Sequence, residues 1–161
     1  MAPLTLQLKG EMPVTLQSFI ILFCTITCGW RIGGVNALLY VVAGIVGLPV
    51  FSNYSSGIDS LTGLYGGFFF GFVFAAFACG FLAEQKLFQK QLAAVMNWML
   101  GHIIILAFGF IILIPRDAAW QQKLELLWPG ALIKSVAGAL IIQFMVRLFG
   151  RKNKTVAAFS E

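Results

Sequence analysis

The sequence predicts an all-α integral membrane protein, a helical bundle of five spans in one domain over residues 1–161. Sixty per cent of the residues are hydrophobic and only 11% are charged, with a mean hydropathy of +0.91. A soluble domain carries about 25% charged residues, so this chain has too few charges to cover a water-facing surface. The apolar runs are continuous and do not alternate with period two, which excludes a membrane β-barrel. The high hydrophobicity also excludes disorder.

Five apolar stretches approach the roughly 20 residues that a helix needs to cross a bilayer. The predicted spans are Val14–Gly29, Ile32–Val50, Leu61–Ala83, Leu92–Ile114 and Pro129–Phe149. The first is short and is followed almost at once by the second.

The basic residues that give the net charge of +5 flank the apolar runs. We therefore interpret them as signals of membrane topology and not as evidence for a nucleic-acid partner. One set of loops holds Arg31, Lys86, Lys90, Arg147, Arg151, Lys152 and Lys154, and the other set holds only Lys9, Arg116 and Lys123. Positive residues favour the cytoplasmic side of a membrane. The C-terminus is therefore predicted to be cytoplasmic and the N-terminus, after five spans, to lie outside the cell.

No catalytic, metal or cofactor site is predicted. His102 is the single histidine, and we interpret it as an interhelical hydrogen-bonding residue. The cysteines Cys24, Cys28 and Cys79 lie on different spans from His102, whereas metal sites need three or four converging ligands. The chain also has no glycine-rich phosphate loop ending in Lys-Ser/Thr. A small membrane enzyme that uses His102 or Lys134 remains an alternative, without a catalytic constellation to support it.

Lys134 is the strongest candidate for a binding residue, because burying an ammonium inside a span is costly. Counted from Pro129, it is expected about 7–8 Å down the fifth span from the outer end. Its side chain would either extend to the membrane interface or receive an anionic group of a substrate that arrives from outside.

Small residues recur every fourth position in two spans, which predicts close helix contacts. They are Gly67, Gly71 and Ala75 in the third span and Ala131, Ser135 and Ala139 in the fifth. Gly66 and Gly67 would alternatively let a ligand touch the backbone.

Four motifs resemble the BioY family, the biotin-specific substrate-binding subunits (S-components) of energy-coupling-factor (ECF) transporters of bacteria. They are MPVTLQSF (12–19), ALLYVVAGIVGLPVF (37–51), GLYGGFFFGFVFAA (63–76) and WPGALIK (128–134). The resemblance covers roughly residues 5–150. It implies a six-helix membrane subunit of the cell membrane that captures biotin outside the cell. It also implies an ECF transmembrane coupling subunit and two cytoplasmic ATPases as partners.

The sequence departs from the family pattern at three places. Ala131 stands where the family has an aspartate, Tyr65 stands in place of a smaller residue, and the family's first helix would precede Leu4. Another small vitamin as the substrate, or a non-transporting remnant, therefore remains an alternative to biotin uptake.

The candidate substrate-binding residues combine these arguments. Lys134 is predicted to bind the carboxylate of biotin, Gln17 and Asn53 its ureido group, and Phe51 and Tyr65 its ring system. The full set is Lys134, Gln17, Tyr40, Phe51, Asn53, Tyr65, Gly66 and Gly67.

Overall fold

The computed structural model describes residues 5–6, 14–51, 54–85, 91–115 and 117–157. Within these residues, five helices follow a two-residue antiparallel strand pair in which Thr5 lies opposite Thr15. The elements are β1 (Thr5–Leu6), β2 (Val14–Thr15), α1 (Gln17–Ile45), α2 (Ile58–Thr62), α3 (Gly66–Ala83), α4 (Gln91–Leu113) and α5 (Trp120–Ala157). Neighbours in the bundle follow the order α1, α3, α4, α5.

The first two predicted spans are the two arms of α1, and they fold back on each other at Gly29. Gly29 has φ 82° and ψ 172°, values that interrupt the helix between residues 17–28 and residues 30–45. A Cβ at Gly33 would overlap the backbone of Thr25, although a straight helix would separate these residues by about 12 Å. Gln17, at the start of the first arm, also reaches Val50, which follows the second.

Glu84 supports this reversal from the end of α3. Its carboxylate lies directly beside Gly29, and its Oε1 accepts a hydrogen bond from the Trp30 backbone N–H at 3.3 Å. The second arm begins at Trp30, so the bond satisfies one of the N–H groups that a helix start leaves without a partner. The carboxylate also complements the positive end of the helix dipole.

Small residues bring α3 and α4 into backbone contact, as the four-residue spacing predicts. A Cβ at Gly67 would overlap the Phe108 carbonyl, and a Cβ at Gly71 would crowd the Ile105 backbone. In α5, Ala131, Ser135 and Ala139 are all buried. The close approach of small-residue faces supplies packing where lipid removes the hydrophobic driving force.

The predicted start of the last span at Pro129 is wrong, because α5 begins at Trp120 and contains Pro129. Proline usually ends a helix because it lacks an N–H, and the charged residues before it concealed the helix in the hydropathy pattern. This first part of α5 is held by apolar contacts: Leu124 and Leu127 pack against Phe110 and Leu113 of α4.

The fold class is confirmed as a helical membrane bundle. Among the described residues, four helices are long and apolar enough to cross a membrane, and the first of them is the bent α1. The third predicted span is split, since α2 and residues 63–65 precede α3. The fourth agrees with α4 to within one residue at each end.

Replacing Gly29 with alanine is expected to destabilise the protein by about 1–3 kcal/mol, because its φ and ψ values lie in a region that essentially only glycine occupies. The new Cβ would also collide with Glu84. Thermal unfolding in detergent measures the loss. Cys28→Ala, at the exposed neighbouring position, is the control and is expected to change stability by less than about 0.5 kcal/mol. Equal melting temperatures for Gly29→Ala and wild type would contradict the reversal at this residue.

Candidate functional site

The candidate binding residues gather mostly at one end of the bundle, here called the Gln17 end. It comprises the start of α1, residues 46–51 and 54–57, the starts of α3 and α5, and the end of α4. The opposite end holds Gly29, Glu84 and the start of α4. Antiparallel helices joined by short connections produce this arrangement.

Gln17 and Tyr40 converge on one carbonyl group. The Gln17 Nε2 donates to the Val50 carbonyl at 3.0 Å, and the Tyr40 hydroxyl donates to the same oxygen at 3.1 Å. Both arms of α1 are thereby tied to the segment that follows them. The predicted binding residues Gln17 and Tyr40 thus form one polar group with the Val50 carbonyl.

Phe51 lies in the core in this structure and has no exposed surface. Its ring stacks on Phe69 with centroids 4.0 Å apart and meets the edge of Tyr40 at 5.7 Å. Gly44 leaves room for it, since a Cβ there would overlap the ring. The predicted contact with a ligand ring would therefore require this side chain to move.

Tyr65 is partly exposed at the Gln17 end and contacts a charged pair. The Lys123 ammonium lies 5.5 Å from the centre of the Tyr65 ring and donates to its hydroxyl at 3.4 Å. Lys123 also forms an ion pair with Asp117. These contacts connect the start of α3 to the loop between α4 and α5.

Two of the remaining candidate residues, Gly66 and Gly67, lie at helix-packing positions. A Cβ at Gly66 would overlap the Leu61 carbonyl, and Gly67 packs against Phe108. Helix contact therefore accounts for both glycines. Asn53 lies outside the residues that the structure describes.

Lys134 is a residue of α5, and its side chain extends to α1. Its Nζ donates to the hydroxyl of Ser18 at 2.8 Å, and Ser18 is buried. Counted from Pro129, the expected depth of about 7–8 Å is unchanged, but the helix itself begins earlier, at Trp120. Lys134 is fourteen residues further on, about 21 Å along the helix. The ammonium is partly buried and is held by the start of α1, the neighbouring helix, near the Gln17 end.

Sequence reasoning missed Ser18 as the partner of Lys134. The available signal was its position directly after Gln17, since the two polar residues stand at the start of a long apolar helix. Only the packing of α1 against α5 identifies which cation this hydroxyl meets.

His102 bridges α4 and α5, as the sequence predicts. Its Nδ1 lies 3.0 Å from the carbonyl oxygen of Trp98 and 3.1 Å from the Ser135 hydroxyl. The Ser135 hydroxyl in turn donates to the Ala131 carbonyl at 2.8 Å. Ser135 follows Lys134 directly, so this buried polar cluster adjoins the Lys134–Ser18 contact.

Apolar helices of membrane-spanning length, packed around a largely apolar core with a few buried polar residues, define a multi-pass helical membrane protein. The sequence model of the BioY family matches residues 1–151. The chain belongs to the BioY family.

Relatives with curated names are similar over much of the chain. The biotin transporter BioY of Thermotoga maritima is 39% identical over 105 residues, which cover 65% of this chain and 60% of that protein. BioY of Rhodobacter capsulatus is 32% identical over 145 residues, covering 80% and 76%. BioY2 of Lactococcus lactis is 27% identical over 159 residues, covering 96% and 86%.

The matched region spans only part of some relatives. It covers 60%, 57% and 50% of the proteins from Thermotoga maritima, Pyrococcus horikoshii and Bacillus subtilis. A crystal structure of the S-component for biotin from an ECF-type ABC transporter matches with a TM-score of 0.61 and 22% identity, over 89% of this chain and 80% of that chain. This likeness shows that the fold is shared.

Acidification is expected to weaken the Asp117–Lys123 pair. The Lys123 ammonium, and then the Ala119 N–H, hold the pKa of the Asp117 carboxyl below its ordinary value of 3.8. The unfolded chain therefore binds this proton more readily. The pair stabilises the fold above about pH 3.8, and this contribution is lost as the pH falls through the lower pKa of the folded state.

The melting temperatures of wild type and Asp117→Asn in detergent, compared between pH 6 and pH 3, test this expectation. Their difference should shrink toward zero at the acid end. In a Lys123→Met background, Asp117→Asn should have little effect at any pH. A difference that stays constant down to pH 3 would contradict the assignment.

Proposed function

We propose that this chain, acting as a single domain, is the substrate-binding S-component of an ECF-type vitamin uptake system and captures biotin outside the cell. It binds the vitamin and is not an enzyme. The names of its BioY relatives support biotin as the substrate. The observation that carries the proposal is the Lys134 ammonium, held by Ser18 within a chain of this family.

Lys134 suits the acid group of biotin. A carboxylate that replaces or joins Ser18 at the ammonium would make a charge-assisted hydrogen bond, which is stronger than a neutral one. The surrounding helices are apolar, and a low-dielectric setting strengthens such a pair relative to water. The carboxylate would also neutralise a charge that is costly to bury.

The Gln17 end would form the entry side. Gln17 and Tyr40 carry polar groups there, and Tyr65 offers an aromatic face. The ureido ring of biotin combines N–H donors with a carbonyl acceptor, so it suits amide and hydroxyl partners. Asn53, in the adjacent loop sequence, remains a proposed partner of the same group.

Transport would require partners. The sequence has no phosphate-binding loop of its own, so an ECF coupling subunit and two cytoplasmic ATPases would supply the energy. The apolar outer faces of the helices fit a lipid bilayer. With basic residues concentrated near the Gly29 end and in the last part of α5, the C-terminus would be cytoplasmic.

Lys134→Ala is expected to raise the biotin dissociation constant at least tenfold, about 1.4 kcal/mol, because the carboxylate loses its cation. Titration of the purified full chain in detergent with labelled biotin measures this. Arg31→Ala, which removes a positive charge near the opposite end, is the matched control and should leave binding unchanged. Biotin amide, which lacks the acid, should bind wild type and Lys134→Ala almost equally.

Three other results of this titration would each lead to a different conclusion. Unchanged biotin binding in Lys134→Ala would remove Lys134 from the site. Wild-type protein that binds another vitamin and not biotin would establish an S-component for a different substrate. Wild-type protein that binds none of the vitamins tested would contradict the proposed capture function.

The proposed orientation predicts the behaviour of reporters fused after Glu161. A green fluorescent protein should fluoresce there, and alkaline phosphatase, which needs an oxidising compartment for its disulfides, should stay inactive. The reverse result, at matched expression levels, would place the C-terminus outside the cell.

A further inference from the structure

His102 and Trp98 carry buried polar atoms that the surrounding protein does not satisfy. His102 is 4% exposed and Trp98 is 0% exposed. Within the part of the chain that the structure describes, His102 Nε2 and Trp98 Nε1 have no hydrogen-bond partner. Such groups are costly in an apolar interior, where nearly all buried polar atoms are paired.

The contacts of His102 fix which of its nitrogen atoms carries the proton. A carbonyl oxygen can only accept, so Nδ1 must donate to Trp98. The Ser135 hydroxyl uses its own proton toward the Ala131 carbonyl and therefore also accepts from Nδ1. In the neutral ring, Nε2 is then a lone-pair acceptor.

Trp98 supplies the complementary group one turn earlier on α4. Its indole N–H is only a donor, and its ring stacks beside His102 with centroids 6.4 Å apart. Gly138 of α5 makes room for the indole, just as Ser135 faces His102. An acceptor and a donor thus lie together between α4 and α5.

This pair adjoins the proposed carboxylate site. Ser135 follows Lys134 directly in α5, and its hydroxyl lies 3.1 Å from His102 Nδ1. On the side of α1, the Phe19 ring lies 5.2 Å from Trp98, directly after Ser18, the partner of Lys134. One region between α1, α4 and α5 therefore contains a cation, an acceptor and a donor.

We infer that His102 Nε2 accepts a hydrogen bond from an N–H group of the bound substrate, with Trp98 Nε1 donating to a carbonyl of the same amide-like group. The inference rests on the proposed function and deepens it by naming residues that would distinguish an amide or ureido substrate from a plain carboxylic acid. A fatty acid offers the Lys134 ammonium its carboxylate but gives Nε2 no donor.

Because His102 is the single histidine of the chain, ¹⁵N-histidine labelling of tag-free protein gives one assignable imidazole. Saturating biotin should shift the Nε2 resonance upfield, as a hydrogen bond to its lone pair requires, and leave Nδ1 nearly unchanged. A Nε2 resonance that does not move when biotin binds would overturn the inference, whether the atom is bonded to water or to nothing.

Variants test the same contact by affinity. His102→Leu should raise the biotin dissociation constant about tenfold or more, as for loss of the acceptor of a buried N–H. His102→Gln, which restores an acceptor oxygen, should recover most of this loss. For the biotin analogue in which oxygen replaces the contacted ureido N–H, wild type and His102→Leu should bind alike.

The outcomes separate this inference from the proposed function. Biotin binding that is normal in His102→Leu and lost in Lys134→Ala would overturn the role of His102 and keep the S-component. An equal loss for biotin and for both ureido oxygen analogues in His102→Leu would mark a packing role and also overturn the inference. Wild-type protein that does not bind biotin would overturn both.

Discussion

The hydrogen bond between Lys134 and Ser18 joins α5, the last helix of the bundle, to α1, the first. In an apolar interior an ammonium needs hydrogen-bond partners, and the packing of α1 against α5 places the Ser18 hydroxyl beside it. The contact does more than stabilise a pair of helices. It keeps the ammonium inside the bundle, where the proposed function requires it, whereas a side chain extended to the membrane interface would lie elsewhere.

The reversal of α1 at Gly29 makes this placement of Ser18 possible. Because α1 doubles back there, its two arms place Gln17 and Tyr40 on the same carbonyl of Val50 and bring Ser18 to the level of Lys134. Glu84 caps the second arm from α3, so the turn is fixed at the end of the bundle opposite to the candidate site. The backbone geometry at one end thereby determines the polar arrangement at the other.

Ala131, where the resemblance to the BioY family leads us to expect an acidic residue, is buried, and its carbonyl accepts a hydrogen bond from Ser135. Ser135, which lies one helical turn after Ala131 in α5, contacts His102 of α4. A histidine acceptor is neutral, so it can meet a substrate N–H without adding a negative charge beside the Lys134 ammonium.

The sequence by itself determined the fold class, the membrane setting, the bounds of α4 and the small-residue faces, because hydropathy and spacing are local properties. It also identified Lys134 and His102, since polar residues are conspicuous in apolar runs. Only the tertiary structure decided that two short spans form one bent helix, that α5 begins before Pro129, and that Phe51 is buried. Only the structure shows that Lys134 contacts Ser18, because such contacts depend on which helices become neighbours. The two residues are 116 positions apart, so no local feature of the sequence predicts their contact.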